Sequence, residues 1–337
     1  MKIFRSFVLA QVSAASILFP FASFAAGAVF DSDYKIDGPF VSKNLQVFIV
    51  HGANTSKSTE IQTLSEAMKA NTFKVFETGS VNELACQNLS DRPVFVQSGD
   101  IVKGGRQDRT MQYDLLVPPH SKKISLSAFC VESGRWQQRG SESAAVFSSS
   151  TKSLAGKELK LAAKYQGNQG AVWQQVADHQ KKLQGAHAQA APTASPTSYE
   201  LTMEDGGVQK NTAGYTKDLQ ALAEKDKDAI GYAFSINGKL NSADLYASHY
   251  LFVKLWPKLL ESAAVEAVAS PEDKSVASKP SGVEDVKTLL HANEKAQPRE
   301  QQISEQTKQR VRDGARSVDF ETRADGDSWL HKNYIVK

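Results

Sequence analysis

From residue 123 to residue 131 the chain alternates: Ile124, Leu126, Ala128 and Cys130 fall on one face, while Ser125, Ser127, Phe129 and Val131 fall on the other. This two-residue period predicts a β-strand, with Cys130 buried beside three apolar neighbours. Residues 45–50, LQVFIV, are a nearly continuous apolar run ending at His51-Gly52 and predict a buried strand. Residues 73–77, 81–88, 93–97 and 113–117 read as four more strands. Pro93 is acceptable at a strand's first position, and Pro118-Pro119 halts the fourth. Residues 229–236 predict another strand, followed by Asn237-Gly238, a tight-turn signal. Residues 317–321 and 333–336 predict a closing pair.

Helical spacing is fewer and longer. Val172, Val176, His179 and Leu183 form one stripe over residues 168–183, and Leu245, His249, Phe252, Trp256 and Leu260 another over 244–260. Pro257 either kinks the second helix or starts a new one. Thr63-Leu64-Ser65-Glu66 has capping-box spacing and predicts a helix that stops near Asn71. Residues 215–225 and 284–292 predict short helices, and the charged stretch 301–312 either a helix or a solvated connection. Together these patterns predict an α+β fold, a predominantly antiparallel or mixed β-sheet core with packed helices.

Residues 1–25 carry the pattern of an export signal. Lys2 and Arg5 precede a mostly apolar run over residues 7–24, and small residues favour cleavage after Ala25, with Ala28 as second choice. No Cys follows for a lipid anchor. The expected product is periplasmic or secreted, without a stable membrane anchor after cleavage. Removing Lys2 and Arg5 takes the formal charge from +3 to +1. That near-neutral balance, without a basic stripe interleaved with aromatics, argues against a nucleic-acid partner. Residues 185–200, biased to Ala, Pro, Ser and Thr, read as a flexible loop, and 268–283 as a polar one.

Candidate chemistry concentrates between residues 92 and 136. Asp100 precedes Lys103-Gly104-Gly105-Arg106-Gln107-Asp108-Arg109, a glycine turn between two predicted strands. Such a turn can aim backbone N–H groups at an anion, and Arg106 and Arg109 can clamp phosphate or carboxylate in bidentate fashion. The alternative is a hairpin turn whose charges pair among themselves. Glu132-Ser133-Gly134-Arg135-Trp136 follows the Cys130 strand. There Glu132 offers an acid/base, Arg135 an anion partner and Trp136 a stacking wall, against the alternative of a strand end with a packed Trp and a Glu–Arg pair. Paired strands around the glycine turn would bring both clusters to one sheet end.

Cys86 and Cys130, the two cysteines, are open to two readings besides burial: a disulfide, or a Cys130 nucleophile with no evident histidine base. His51 reads as a structural residue at a strand end, and His179 and His249 as packed on helix stripes. No metal-ligand spacing is present, so no metal site is expected.

The runs PVFVQSGDIVKGGRQDR, DLLVPPHS and FCVESGRW, with IGYAFSINGKLNSADLY and FVKLWPKLL further on, resemble the bacterial domain called ARG and Rhodanese-Phosphatase-superfamily-associated Protein. The resemblance runs from about residue 45 to about residue 265 and implies one domain over residues 26–337 with a long loop. It implies no catalytic residue, because the domain has no assigned function. Its name points faintly toward nucleotide, ADP-ribose or phosphate-bearing ligands.

Three functions compete. One is a non-catalytic module binding a small anionic ligand through Asp100, Gly104, Gly105, Arg106, Gln107, Arg109, Glu132, Arg135 and Trp136. The second is a hydrolase or transferase using Asp100 or Glu132 as acid/base. The third is an envelope interaction protein whose clusters are structural. Cofactor and protein partners are not specified by the sequence.

Overall fold

The protein is described from a computed structural model, which covers residues 34–56, 60–149, 154–186, 194–272, 280–324 and 326–337. The expected signal segment and the middles of both expected loops lie outside these residues. Asp33–Lys337 forms one compact unit.

The fold is α+β and almost wholly antiparallel. An eight-stranded sheet runs in the order Lys35–Ser42, Leu45–His51, Ala229–Ile236, Lys239–Tyr246, Ser328–Val336, Ser317–Ala324, Thr307–Asp313, Arg299–Gln302. Its first two strands come from the start of the domain and the other six from its second half. A six-stranded sheet is built from the intervening chain: Phe147–Ser149, Ile101–Gly104, Arg109–Met111, Ile124–Cys130, Glu83–Asn88, Phe73–Glu77. A three-stranded sheet, Gln62–Thr63, Val94–Val96 and Leu115–Val117, contains the parallel pair found among the described strands.

The helix His249–Val268 lies against the large sheet and buries Leu251, Phe252, Leu255, Trp256, Leu259 and Leu260, with Pro257 inside it. Gln169–Gly185 is capped by the Asn168 side chain, which accepts from the Ala171 N–H. Leu64–Lys69 carries the expected capping box, with Thr63 and Glu66 exchanging hydrogen bonds. That reciprocal pair satisfies two amides at the helix start.

Three expectations fail for identifiable reasons. The helix expected from residue 244 begins only at His249, because Lys239–Tyr246 continues the Asn237-Gly238 hairpin as a strand. Residues 301–312 fall mostly in two strands at the sheet edge, where cross-strand pairs such as Arg310–Glu300 (2.5 Å) replace apolar contact. A charged edge strand hides from hydrophobic periodicity. Of the helix expected over 215–225 only a short tight helical turn, Gln220–Glu224, forms, and the α-helix lies earlier, Gly206–Thr216, started by the Asp205 side chain.

Buried charge joins the large sheet to the rest. Tyr246, His331 and Thr322 sit in register on three adjacent strands, and the rings of Tyr246 and His331 stack at 4.6 Å. Asp114, on the turn before Leu115–Val117, reaches this row. Its Oδ2 accepts from His331 Nδ1 at 2.8 Å and from the Thr322 hydroxyl, and its Oδ1 accepts from the Ser98 N–H at 2.7 Å. His331 Nε2 meets Asp244 Oδ1 at 3.1 Å, which also accepts from Asn333. A ring flanked by two carboxylates donates from both nitrogens and is an imidazolium. Lys164 stands 3.9 Å from Asp114 and over the Phe320 ring, on the wide helical turn Leu161–Tyr165. Nearby, Lys258 Nζ donates to Asp100 Oδ1 at 2.5 Å.

Burial alone would lower the His331 pKa, but Asp114 and Asp244 overcome it and hold it above the ordinary value. Burial would raise Asp114, but Lys164 and His331 pull it below the usual carboxylate range. The two signs define a window. The Asp114 contribution is present above the ordinary Asp pKa of about 3.9, and the His331 contribution is complete below the ordinary His pKa of about 6.5. His331→Gln is therefore expected to cost about 3 kcal/mol in urea unfolding near pH 5 to 6. The gap between wild type and variant should shrink as pH rises above the ordinary His pKa of about 6.5 and through the raised folded-state pKa. A gap independent of pH would show that His331 is neutral in the fold.

Candidate functional site

The expected strands on either side of the glycine turn do pair, with Val94 opposite Val117, and the stretch read as the turn itself contains a second hairpin, with Ile101 opposite Thr110 and Val102 opposite Arg109. Arg109 in turn lies opposite Cys130. This register carries Glu132, two residues beyond Cys130, to the same sheet end as the turn. Gly104 (φ +114°) and Gly105 (φ +54°) are in backbone conformations that favour glycine, and a Cβ at Gly105 would lie 2.2 Å from the Phe147 ring.

The turn's amides are already engaged by the protein's own acceptors. The Gly104 N–H donates to Asp108 Oδ1 at 2.9 Å, the Gly105 N–H to the Ser143 carbonyl at 3.0 Å, and the Arg106 N–H to Glu77 Oε2 at 3.1 Å. The Asp108 N–H donates to Glu132 Oε2 at 3.0 Å. The Gly104 and Gly105 carbonyls accept from Arg135. The turn therefore presents internal carboxylates where a nest would present open donors.

Glu132 is fully buried and accepts from Arg135 Nε and Nη2 at 2.6 Å each, from Arg139, and from the Ser195 hydroxyl at 2.5 Å. Burial raises its pKa, but the bonds from Arg135, Ser195 and the Asp108 amide outweigh burial and hold it below the ordinary value. It is a fixed carboxylate, poorly suited to trade protons near neutrality. Asp108 takes both Arg139 nitrogens at 2.9 Å and the Ser198 hydroxyl at 2.7 Å. Asp100 is not part of this cluster; from the start of strand Ile101–Gly104 it pairs with Lys258. Gln107 is buried, and its carbonyl accepts from Arg109 Nη1 at 2.6 Å.

Arg109 differs from its neighbours. It is fully buried, yet its Nε and Nη2 have no hydrogen-bond partner. Glu77 Oε2 stands 3.5 Å from Nη2, close enough for charge attraction but outside hydrogen-bond geometry. The half-exposed Trp136 covers both arginines: its ring centre lies 5.7 Å from the Arg109 guanidinium carbon and 5.4 Å from that of exposed Arg106.

Sequence reasoning missed Arg139, Glu77, Ser195 and Ser198. Arg139 was detectable as a second arginine one short stretch beyond Arg135. The serines come from the edge of the expected flexible loop and the helix start after it, with no local signal. Cys86 and Cys130 are free and buried; Cys86 faces Ile124, six residues from Cys130 along the partner strand. Burial pushes the Cys86 thiol up to about 12 and the Cys130 thiol up to about 11, so neither is a ready nucleophile.

The pairing predicts unequal arginines. Arg139→Ala leaves Asp108 and Glu132 short of a buried partner and should cost about 3–5 kcal/mol in urea unfolding. Arg106→Ala, on the surface, should change stability by no more than about 0.5 kcal/mol. Equal losses in the two variants would contradict this assignment.

No curated protein and no solved structure matches the chain. The sequence model of one family covers residues 33–335, nearly the whole chain. By that match the protein belongs to the ARG and Rhodanese-Phosphatase-superfamily-associated Protein domain family.

Proposed function

We propose that this is an exported protein, periplasmic or secreted, that binds a small oxyanion ligand without converting it. The observation that carries this reading is the open edge of Arg109. Nε and Nη2 lie along one side of a guanidinium, the side that takes a carboxylate or phosphate in bidentate fashion. Here that edge is buried and unfilled. Leaving such donors unmade costs roughly 1–3 kcal/mol per group, so a ligand able to fill them gains correspondingly. Trp136 is the movable cover, Arg106 the second cation, and Glu77 the local counter-charge. The glycines and Glu132, Arg135 and Asp108 serve as the rigid wall behind Arg109. A binding role fits better than acid/base chemistry, because Asp100 and Glu132 are both committed to cationic partners. The charged start and small-residue end of residues 1–25 support export.

A thermal-shift screen with inorganic phosphate, nucleotides, ADP-ribose, sugar phosphates and carboxylates tests the site. A ligand at a hundred times its Kd should stabilise the wild type by about 2.7 kcal/mol. The shift should fall in Arg106→Ala and Trp136→Ala and vanish in Arg109→Gln, each checked as folded by circular dichroism. No shift from any of these compounds, or a shift unchanged in all three variants, would sink the proposal.

A further inference from the structure

A second cluster of chemistry lies at the opposite kind of place, on the large sheet's N-terminal strands. His51 ends the strand Leu45–His51 and is 3% exposed. Asp37 lies on the neighbouring strand, opposite Ile49, and so is the diagonal neighbour of His51 on the same face. Asp226 and Asp228 belong to the turn that enters strand Ala229–Ile236, closed by an Ala229 N–H to Asp226 carbonyl bond of 3.0 Å. Three separate chain segments thus converge on one imidazole. Donor atoms of Asp37, His51 and Asp226 all lie within 4.8 Å of one another.

The imidazole is set up asymmetrically. Its Nδ1 lies 2.8 Å from Asp228 Oδ1. Its Nε2 is buried and has no hydrogen-bond partner, although Asp37 Oδ2 is 3.2 Å away. When Nδ1–H donates to Asp228, the Nε2 lone pair is left facing Asp37, with an Asp226 carboxylate oxygen within the same 4.8 Å cluster. A carboxylate on one ring nitrogen and a ligand position at the other is the arrangement by which proteins orient a metal-binding histidine.

We propose that Asp37, His51 Nε2 and Asp226 form a binding site for a first-row divalent cation, best suited to Zn²⁺, with Asp228 orienting the ring. The donor set of one imidazole and two carboxylates suits a borderline cation. Tetrahedral bonds of about 2.0 Å separate donors by roughly 3.3 Å, close to the present spacing of His51 Nε2 and Asp37 Oδ2. Asp226 closes in by a change confined to its exposed turn. Lys35 Nζ, now 3.2 Å from Asp37 Oδ2 on a side chain 70% exposed, swings away as the cation enters. Three protein donors leave a fourth position for water or an exogenous group. The sequence carries no sign of this site, because no two of its ligands share a metal-binding spacing.

Calorimetric titration of the chelator-treated, untagged protein with Zn²⁺ tests the proposal. We expect binding of one equivalent and a rise in Tm. Asp37→Asn and Asp226→Asn should weaken binding at least tenfold while leaving the metal-free Tm unchanged. Asp228→Asn, outside the ligand set, should weaken it by about tenfold to a hundredfold. No binding to the wild type, or wild-type affinity in both Asp37→Asn and Asp226→Asn, overturns the site.

Discussion

Charge sealed between layers organises this protein. The large sheet and the smaller sheets are made from interleaved parts of the chain, and apolar packing alone would fix their separation better than their register. Asp114 and Asp100 supply the register. Each leaves a turn or strand of the middle segment and meets a cation on the opposing side, His331 for one and Lys258 for the other. An unpaired charge at either place would carry a penalty of several kcal/mol, so sliding the layers by one residue is far dearer than losing an equal area of apolar contact. His331 extends the constraint sideways, since Asp244 and Tyr246 lie on one neighbouring strand and Thr322 on the other. The three strands cannot shift relative to Asp114 without breaking the row.

The glycine-turn corner follows from the same rule at smaller scale. Strand Ile124–Cys130 ends by delivering Glu132 beneath the turn, and the turn delivers Asp108. Two carboxylates buried side by side require cations close by, and Arg135 and Arg139 answer both. Ser195 and Ser198 then draw the last part of the expected loop back onto the corner. The segment 131–145 has little regular structure, yet it is pinned, because its arginines are the counter-ions of a buried acid pair.

The strands around residues 45–51, 73–77, 83–88, 124–130 and 229–236 and the capping-box helix were legible because their signals are local: apolar runs, two-residue alternation, Thr63 with Glu66, Asn237-Gly238. The bringing together of Gly104, Gly105, Glu132 and Arg135 was legible only in part, since it needed strand Arg109–Met111 to pair with the Cys130 strand as well as the turn's own strands to pair. Asp100 was misplaced because a carboxylate four residues from a glycine looks like part of the turn; its partner Lys258 is 158 residues away. His331 was invisible for the same reason. It sits in a strand of mixed polar and apolar residues, and its two carboxylates come from positions 217 and 87 residues distant. The stripe that suggested a helix from residue 244 mixed strand residues with helix residues, because Leu245 and His249 happen to be four apart. Long-range electrostatic partners leave no period in a sequence.

The corner's charge balance bears on how an oxyanion would be recognised there. Glu77, Asp108, Glu132, Glu142 and Glu204 stand against Lys103, Arg106, Arg109, Arg135 and Arg139, five charges of each sign. Such a balance gives little long-range attraction, so steering from solution is weak. Selectivity then rests on short-range geometry. Arg135 is filled by Glu132, and Arg139 by Asp108, Glu132 and Glu142, each through several nitrogens, which leaves Arg109 as the guanidinium whose open edge is shielded from water. A neutral ligand cannot satisfy two parallel N–H donors beside a stacked indole as well as a carboxylate or phosphate can. Arg109 is held in place by its Nη1 bond to the Gln107 carbonyl at 2.6 Å, which leaves the Nε and Nη2 edge to Glu77 and to an incoming oxyanion.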